Sequence, residues 1–238
     1  VVTVHRRYHE LDACLRRIAA LASLFPERPR VRVVWADPEP ARLHAFRQWR
    51  QEGLLDEVLH RHRLPEEGQV GGTSYPESHN LRRGLIRTFE EDPECIAIAC
   101  AADVLPSERC LRWLIGQIES GEARAVVFHW HNAIAVGGCY STNFFAVPGD
   151  PAYWPPLSRP DDPDVLERQF ALAVRAAHAP GVVEMANHAG CMFAHAHRSE
   201  SLPAWPSRPE SEVVEAPLCL TGRLPWYRRL WRFLTGRV

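Results

Sequence analysis

Cys95-Ile96-Ala97-Ile98-Ala99-Cys100-Ala101-Ala102-Asp103-Val104-Leu105-Pro106 is an apolar run with a single carboxylate near its end. A short continuous apolar run, followed by a polar turn and a new amphipathic segment, predicts a strand buried on both faces with Asp103 at its C-terminal end. In open α/β sheets that end is where ligands sit. One acid there can also be an N-cap or an ion-pair partner, so Asp103 narrows the function without settling it.

Upstream, residues 1–4 predict a strand, and Leu11, Leu15, Ile18, Ala22 and Phe25 recur at helical spacing behind Glu10 and Asp12. Residues 31–35 predict a second strand ending near Asp37, and Leu43, Phe46, Trp49 and Arg50 a helix that stops near Gly53. Residues 58–60 predict a short third strand, while Leu81, Leu85, Thr88 and Phe89 mark a helix entered through Pro76, Glu77 and Ser78. Downstream, Ser107 caps a helix striped by Leu111, Leu114, Ile115 and Ile118, and residues 125–129 resume strand character. Four such alternations in about 130 residues imply an α/β fold with a mainly parallel, mixed sheet flanked by helices. The pattern then loosens: a strand at 140–147, a proline-rich loop at 148–163, a helix at 165–177 and one or two strands at 182–195.

The chain has 238 residues, of which 46% are hydrophobic and 24% charged, with a net charge of -1. That length suits one large domain or one and a half small ones, with an ample core. All 28 basic residues are arginine, which excludes a lysine Schiff base or a P-loop lysine. A near-neutral charge argues against nucleic acid as a partner, because phosphate binding along a polymer needs a basic face. Seven scattered cysteines without a CxxC pair suggest reduced thiols and a cytoplasmic protein. No stretch approaches 18 apolar residues and no signal peptide is visible, although the chain opens without methionine in what reads as mid-strand, as if residues preceded it. His129-Trp130-His131 and His195-Ala196-His197 have the form of metal pairs, but twelve histidines make such pairs common by chance. An α/β-hydrolase reading lacks a Gly-x-Ser-x-Gly elbow.

The order of features over residues 1–200 resembles the family-2 glycosyltransferases of the GT-A (Rossmann-like) fold. Val2-Thr3-Val4-His5-Arg6 is similar to that family's first strand and turn, and Trp35-Ala36-Asp37 to the end of its second strand, where an acid contacts the nucleotide. His79-Asn80-Leu81-Arg82-Arg83-Gly84 resembles the helix start that precedes the metal-binding strand. At the position of the family's Asp-x-Asp motif this chain has Ala101-Ala102-Asp103, so one acid of the pair is replaced by Ala101. Asp161-Asp162-Pro163-Asp164-Val165-Leu166-Glu167-Arg168 is similar to the family's acidic pair and helix, and 193–199 to its last strand, which ends in a metal- or diphosphate-binding histidine. The resemblance thus implies nucleotide-sugar contacts from Thr3, His5, Arg6, Asp37, Asn80, Arg83 and Asp103. It implies a catalytic base at Asp162 and a divalent metal, Mn²⁺ or Mg²⁺, on Asp103 and His195, with His197 and His188 as fallbacks.

Transfer of a sugar from a nucleotide diphosphate needs charge stabilised on the departing diphosphate and a base for the acceptor hydroxyl. A hard cation would supply the first as a Lewis acid, and arginines such as Arg83 or Arg198 would assist by bidentate phosphate contact. A carboxylate at a helix start is held ionised by the helix dipole and would supply the second. Inversion at the anomeric centre is implied by the resemblance alone. The alternative is a catalytically degenerate domain that binds nucleotide or glycan, or scaffolds a membrane assembly, which Ala101 favours.

Residues 201–238 form a second, proline-rich segment ending in Leu224-Pro225-Trp226-Tyr227-Arg228-Arg229-Leu230-Trp231-Arg232-Phe233-Leu234. Aromatics and leucines on one side and arginines on the other predict an amphipathic C-terminal helix. It suits either the domain's own core or peripheral docking on the inner face of a membrane, where a glycan or lipid-linked acceptor would be met.

Overall fold

The computed structural model describes residues 1–5, 7–62, 74–129, 139–162, 164–186 and 193–195. Arg6, His131, His188, His197, Arg198, the proposed boundary at residue 200 and the C-terminal helix therefore lie outside the described residues.

The apolar runs become strands and the amphipathic stripes become helices. In chain order these are β1 (Val2–Val4), α1 (Tyr8–Ala20), β2 (Arg32–Ala36), α2 (Leu43–Gln51), β3 (Glu57–Arg61), α3 (Ser74–Glu91), β4 (Ala97–Ala101), β5 (Val104–Pro106), α4 (Glu108–Glu119), β6 (Ala125–His129), β7 (Tyr140–Val147), α5 (Leu166–Ala176), β8 (Val182–Ala186) and β9 (Phe193–His195). Seven strands form one sheet in the order β3-β2-β1-β4-β7-β6-β8. Every neighbouring pair is parallel except those made by β7, which runs antiparallel to both β4 and β6. The last expected strand region divides in two, and β9 leaves the large sheet to pair with β5.

Helices cover both faces. On one, Leu11 and Leu15 of α1, Phe46 and Trp49 of α2, and Leu111 and Leu114 of α4 pack on Val33, Trp35 and Phe128. On the other, Leu81, Leu85 and Phe89 of α3 join Leu166 and Phe170 of α5 over Ala99, Val127 and Phe145. Trp35, fully buried, stacks on Phe46 at 4.0 Å, and its indole N–H donates to the Tyr8 hydroxyl at 3.1 Å. Burial of each large side chain of this kind contributes roughly 1.5–3 kcal/mol. Ser107 caps α4 as expected, its hydroxyl accepting from the Cys110 N–H at 3.0 Å. Among the described residues Cys14, Cys95, Cys100, Cys110 and Cys139 are free thiols, and no helix is long and apolar enough to cross a membrane.

One arginine joins strands to helix inside this frame. Arg32, its side chain only 4% exposed, donates to Glu57 at 2.6 Å, to the Thr88 hydroxyl at 2.6 Å and to Glu91 at 2.5 Å, tying β2 and β3 to the end of α3. Arg32→Met removes the buried cation and leaves two acids to exposed arginines. The expected cost is about 2–3 kcal/mol in urea unfolding, with the slope unchanged.

Candidate functional site

β1, β2, β3, β4, β6 and β8 share one direction, so their C-terminal ends meet along a single edge. Between β1 and β4 the order of building reverses, since β2 and β3 extend the sheet to one side and β4 begins the other. Such a switch point leaves a crevice beyond the strand ends. Thr3 lies at its root, paired with Val34 and Ala101, and its carbonyl accepts from the Ala102 N–H at 3.0 Å.

Asp103 sits in that crevice between β4 and β5, 2% exposed. Its carboxylate accepts from the Nη1 of Arg7, the residue just before α1. A buried carboxylate without a cation costs several kcal/mol, and the guanidinium offsets that cost at the point of burial. Arg7 itself is 40% exposed and open to a ligand. His5 follows β1 in the same turn, and His195 stands opposite Val104 in the β5–β9 register, which brings its backbone beside Asp103.

Two acids stand close by on other elements. Glu77 lies in the first turn of α3 and Glu167 in the first turn of α5. Burial, then the charges of Glu167 and Asp103, push the Glu77 carboxyl up to about 7, while the Thr142 hydroxyl beside it and Arg7 pull the other way. Burial also raises the Glu167 carboxyl above its ordinary value. Acids in first helical turns read as dipole compensation in a sequence, which is why neither stood out as a site residue.

The remaining candidates scatter along the edge. Asp37 follows β2 in a left-handed conformation with φ 50°, its N–H donating to the Arg61 carbonyl at 2.9 Å. Asn80 is buried and its side-chain oxygen accepts from Arg61 Nε, so it braces β3 against α3. Arg83 is exposed on the outer flank of α3 rather than in the crevice. Asp162 is exposed too, its carboxylate accepting from the Arg159 N–H in a turn before α5. His129 is turned to Glu184 at 2.6 Å, and the Tyr140 hydroxyl donates to the same carboxylate. The hydrogen bond from His129 holds Glu184 down at about 2 despite burial. No group of three metal-ligating side chains occurs among the described residues.

No protein-family model and no curated protein matches the sequence. Solved structures do match. S. aureus TarS 1–349 in complex with UDP-GlcNAc is similar with a TM-score of 0.51 and 12% identity over 89% of this chain and 62% of that chain. The fold is of the GT-A type. Two other GT-A-like structures score below 0.5. A protein assigned as a nucleotide-diphospho-sugar transferase from Desulfovibrio desulfuricans G20 has a TM-score of 0.45 and 10% identity over 78% of both chains. Mouse xyloside xylosyltransferase 1, apo form, has a TM-score of 0.43 and 10% identity over 76% of this chain and 82% of that one.

The raised Glu77 has a measurable signature. A carboxyl whose folded value exceeds its unfolded value contributes fully below about pH 4.5, and that contribution is lost as pH rises through about 7. Glu77→Gln should therefore match the parent near pH 4.5 and exceed it by on the order of 2 kcal/mol at pH 8, read from unfolding curves across that range.

Proposed function

We propose that this GT-A domain is a glycosyltransferase similar to family 2, moving a sugar from a nucleotide-diphosphate donor to a hydroxyl acceptor with inversion, in polysaccharide or glycolipid assembly. The observation that carries the reading is the buried Asp103–Arg7 pair in the crevice between β1 and β4. A nucleotide lies across the strand ends, with Thr3, His5, Arg6, Asp37 and Asn80 as its proposed contacts and the diphosphate drawn to Arg7. Arg7 presents a planar, permanently charged fork suited to phosphate oxygens, and it faces the charge that grows on the leaving group.

Mn²⁺ or Mg²⁺ on Asp103 and His195 remains part of the proposal and would act as a Lewis acid on the diphosphate. The described residues offer it a thin donor set, one carboxylate that already carries a guanidinium. Such an ion would take most of its ligands from the diphosphate and water. Charge stabilisation by the protein's own groups therefore falls to Arg7.

The acceptor proton goes to a carboxylate at the start of α5. The resemblance nominates Asp162, while the surroundings favour Glu167, whose carboxyl burial raises above its ordinary value, the direction that suits a general base. In-line attack by the deprotonated hydroxyl, opposite the departing diphosphate, inverts the anomeric centre.

Thermal shift with UDP, other nucleotide diphosphates and their sugars, with and without Mn²⁺, checks the donor site. One nucleotide should raise the melting temperature, and Asp103→Asn and Arg7→Gln should each abolish the rise. A full panel without any shift would point instead to the degenerate binding domain. For the base, Glu167→Gln should lower kcat by about 10²- to 10⁴-fold with donor binding retained, and Asp162→Asn should change it little. The converse pattern would return the role to Asp162.

A further inference from the structure

On the outer flank of α3 lies a cleft of about 520 Å³ that the strand-end chemistry does not use. His79, Arg82, Arg83 and Arg87 form its α3 wall as successive steps of one helical stripe, and Arg61 and His62 close it from the β3 side. β3 is the outermost strand of the sheet, so the cleft lies at the sheet's border rather than at the switch point. Glu90 is its one acid among the described residues, against four arginines.

These arginines are not equally occupied. Arg87 is held by Glu57 at 3.1 Å and Glu91 at 2.5 Å, and Arg61 by Asn80 and the Pro76 carbonyl. Arg82 and Arg83 form no ion pair among the described residues. The Nε of Arg82 is buried without a hydrogen-bond partner, and its guanidinium is braced over the Trp154 ring at 5.2 Å. Ile86 and Leu157, 44% and 50% exposed, add apolar wall beside them. A concave, partly apolar wall concentrates the field of unpaired cations, and guanidinium forks match phosphate oxygens. From His79 to Glu90 the helix rises about 16 Å, more than one phosphate spans.

We propose that this cleft binds a chain bearing several phosphate groups. Given the glycosyltransferase reading, on which this step rests, that chain is the acceptor, held along α3 while its hydroxyl reaches the crevice. Arg82 and Arg83 are its phosphate contacts, and Trp154 fixes the first of them.

The test measures binding of pyrophosphate and of long-chain inorganic polyphosphate at fixed salt, with nucleotide binding followed separately. The protein should bind polyphosphate about tenfold or more tighter than pyrophosphate, and saturating UDP should leave that affinity unchanged. Arg82→Gln with Arg83→Gln should cost about tenfold or more, while Arg16→Gln with Arg112→Gln, on other helices, should cost little. Equal loss in both pairs, no loss in the first, or displacement by UDP would each overturn the proposal. A protein that UDP stabilises but that ignores polyphosphate would sink the cleft alone. Binding through Arg82 and Arg83 without any nucleotide binding would sink the transferase reading and leave the cleft standing.

Discussion

A carboxylate buried where the sheet changes its direction of growth needs a cation close at hand, and the geometry around Asp103 follows from that need. Arg7 reaches it only because β1 and β4 are neighbours in parallel register, Val2 beside Cys100 and Thr3 beside Ala101. It also depends on α1 beginning at Tyr8, which leaves Arg7 at the mouth of the crevice. That helix start is fixed from below by Leu11, Cys14 and Leu15, all fully buried. Ion pair, strand register and helix phase are thus one unit. Loss of any of them leaves an uncompensated charge in the core, at a cost of several kcal/mol.

The strands of this unit were legible because parallel strands covered on both faces must be near-continuous apolar runs, as 31–35 and 95–102 are. The place of Asp103 followed from the same rule. Its partner did not. Arg6 and Arg7 are equivalent as letters, and the choice between them depends on where the helix begins. The arrival of Glu77 near Asp103, and of Glu167 near Glu77, was hidden for a different reason. Each is a local dipole-compensating acid in its own helix, and their approach is set by the packing of α3 and α5 across some ninety positions of chain, which no periodicity reports. The departure of β9 to pair with β5 is likewise a matter of tertiary contact rather than of local pattern.

A site made this way mixes polarity on purpose. Asp103 is paired with Arg7, whereas burial and the charges of Glu167 and Asp103 push the Glu77 carboxyl up to about 7 against the pull of Arg7. The contrast with Glu184 is instructive. Its hydrogen bonds from His129 and Tyr140 hold it ionised, and it serves β6, β7 and β8 as a brace.

α3 connects the crevice to the flank cleft. Its first turn carries Glu77 to the crevice, its inner face buries Leu81, Leu85 and Phe89, and its outer stripe carries Arg82, Arg83 and Arg87. The depth at which it sits is set by Gly84, where a Cβ would overlap Val1 Cγ1 and come within 3.0 Å of Val34 Cγ2. Close approach of helix to sheet therefore fixes crevice acid and flank arginines by a single contact. Because packed interiors yield as blocks rather than atom by atom, a shift of α3 outward would move both together. Crevice and cleft are thus mechanically linked without sharing a side chain.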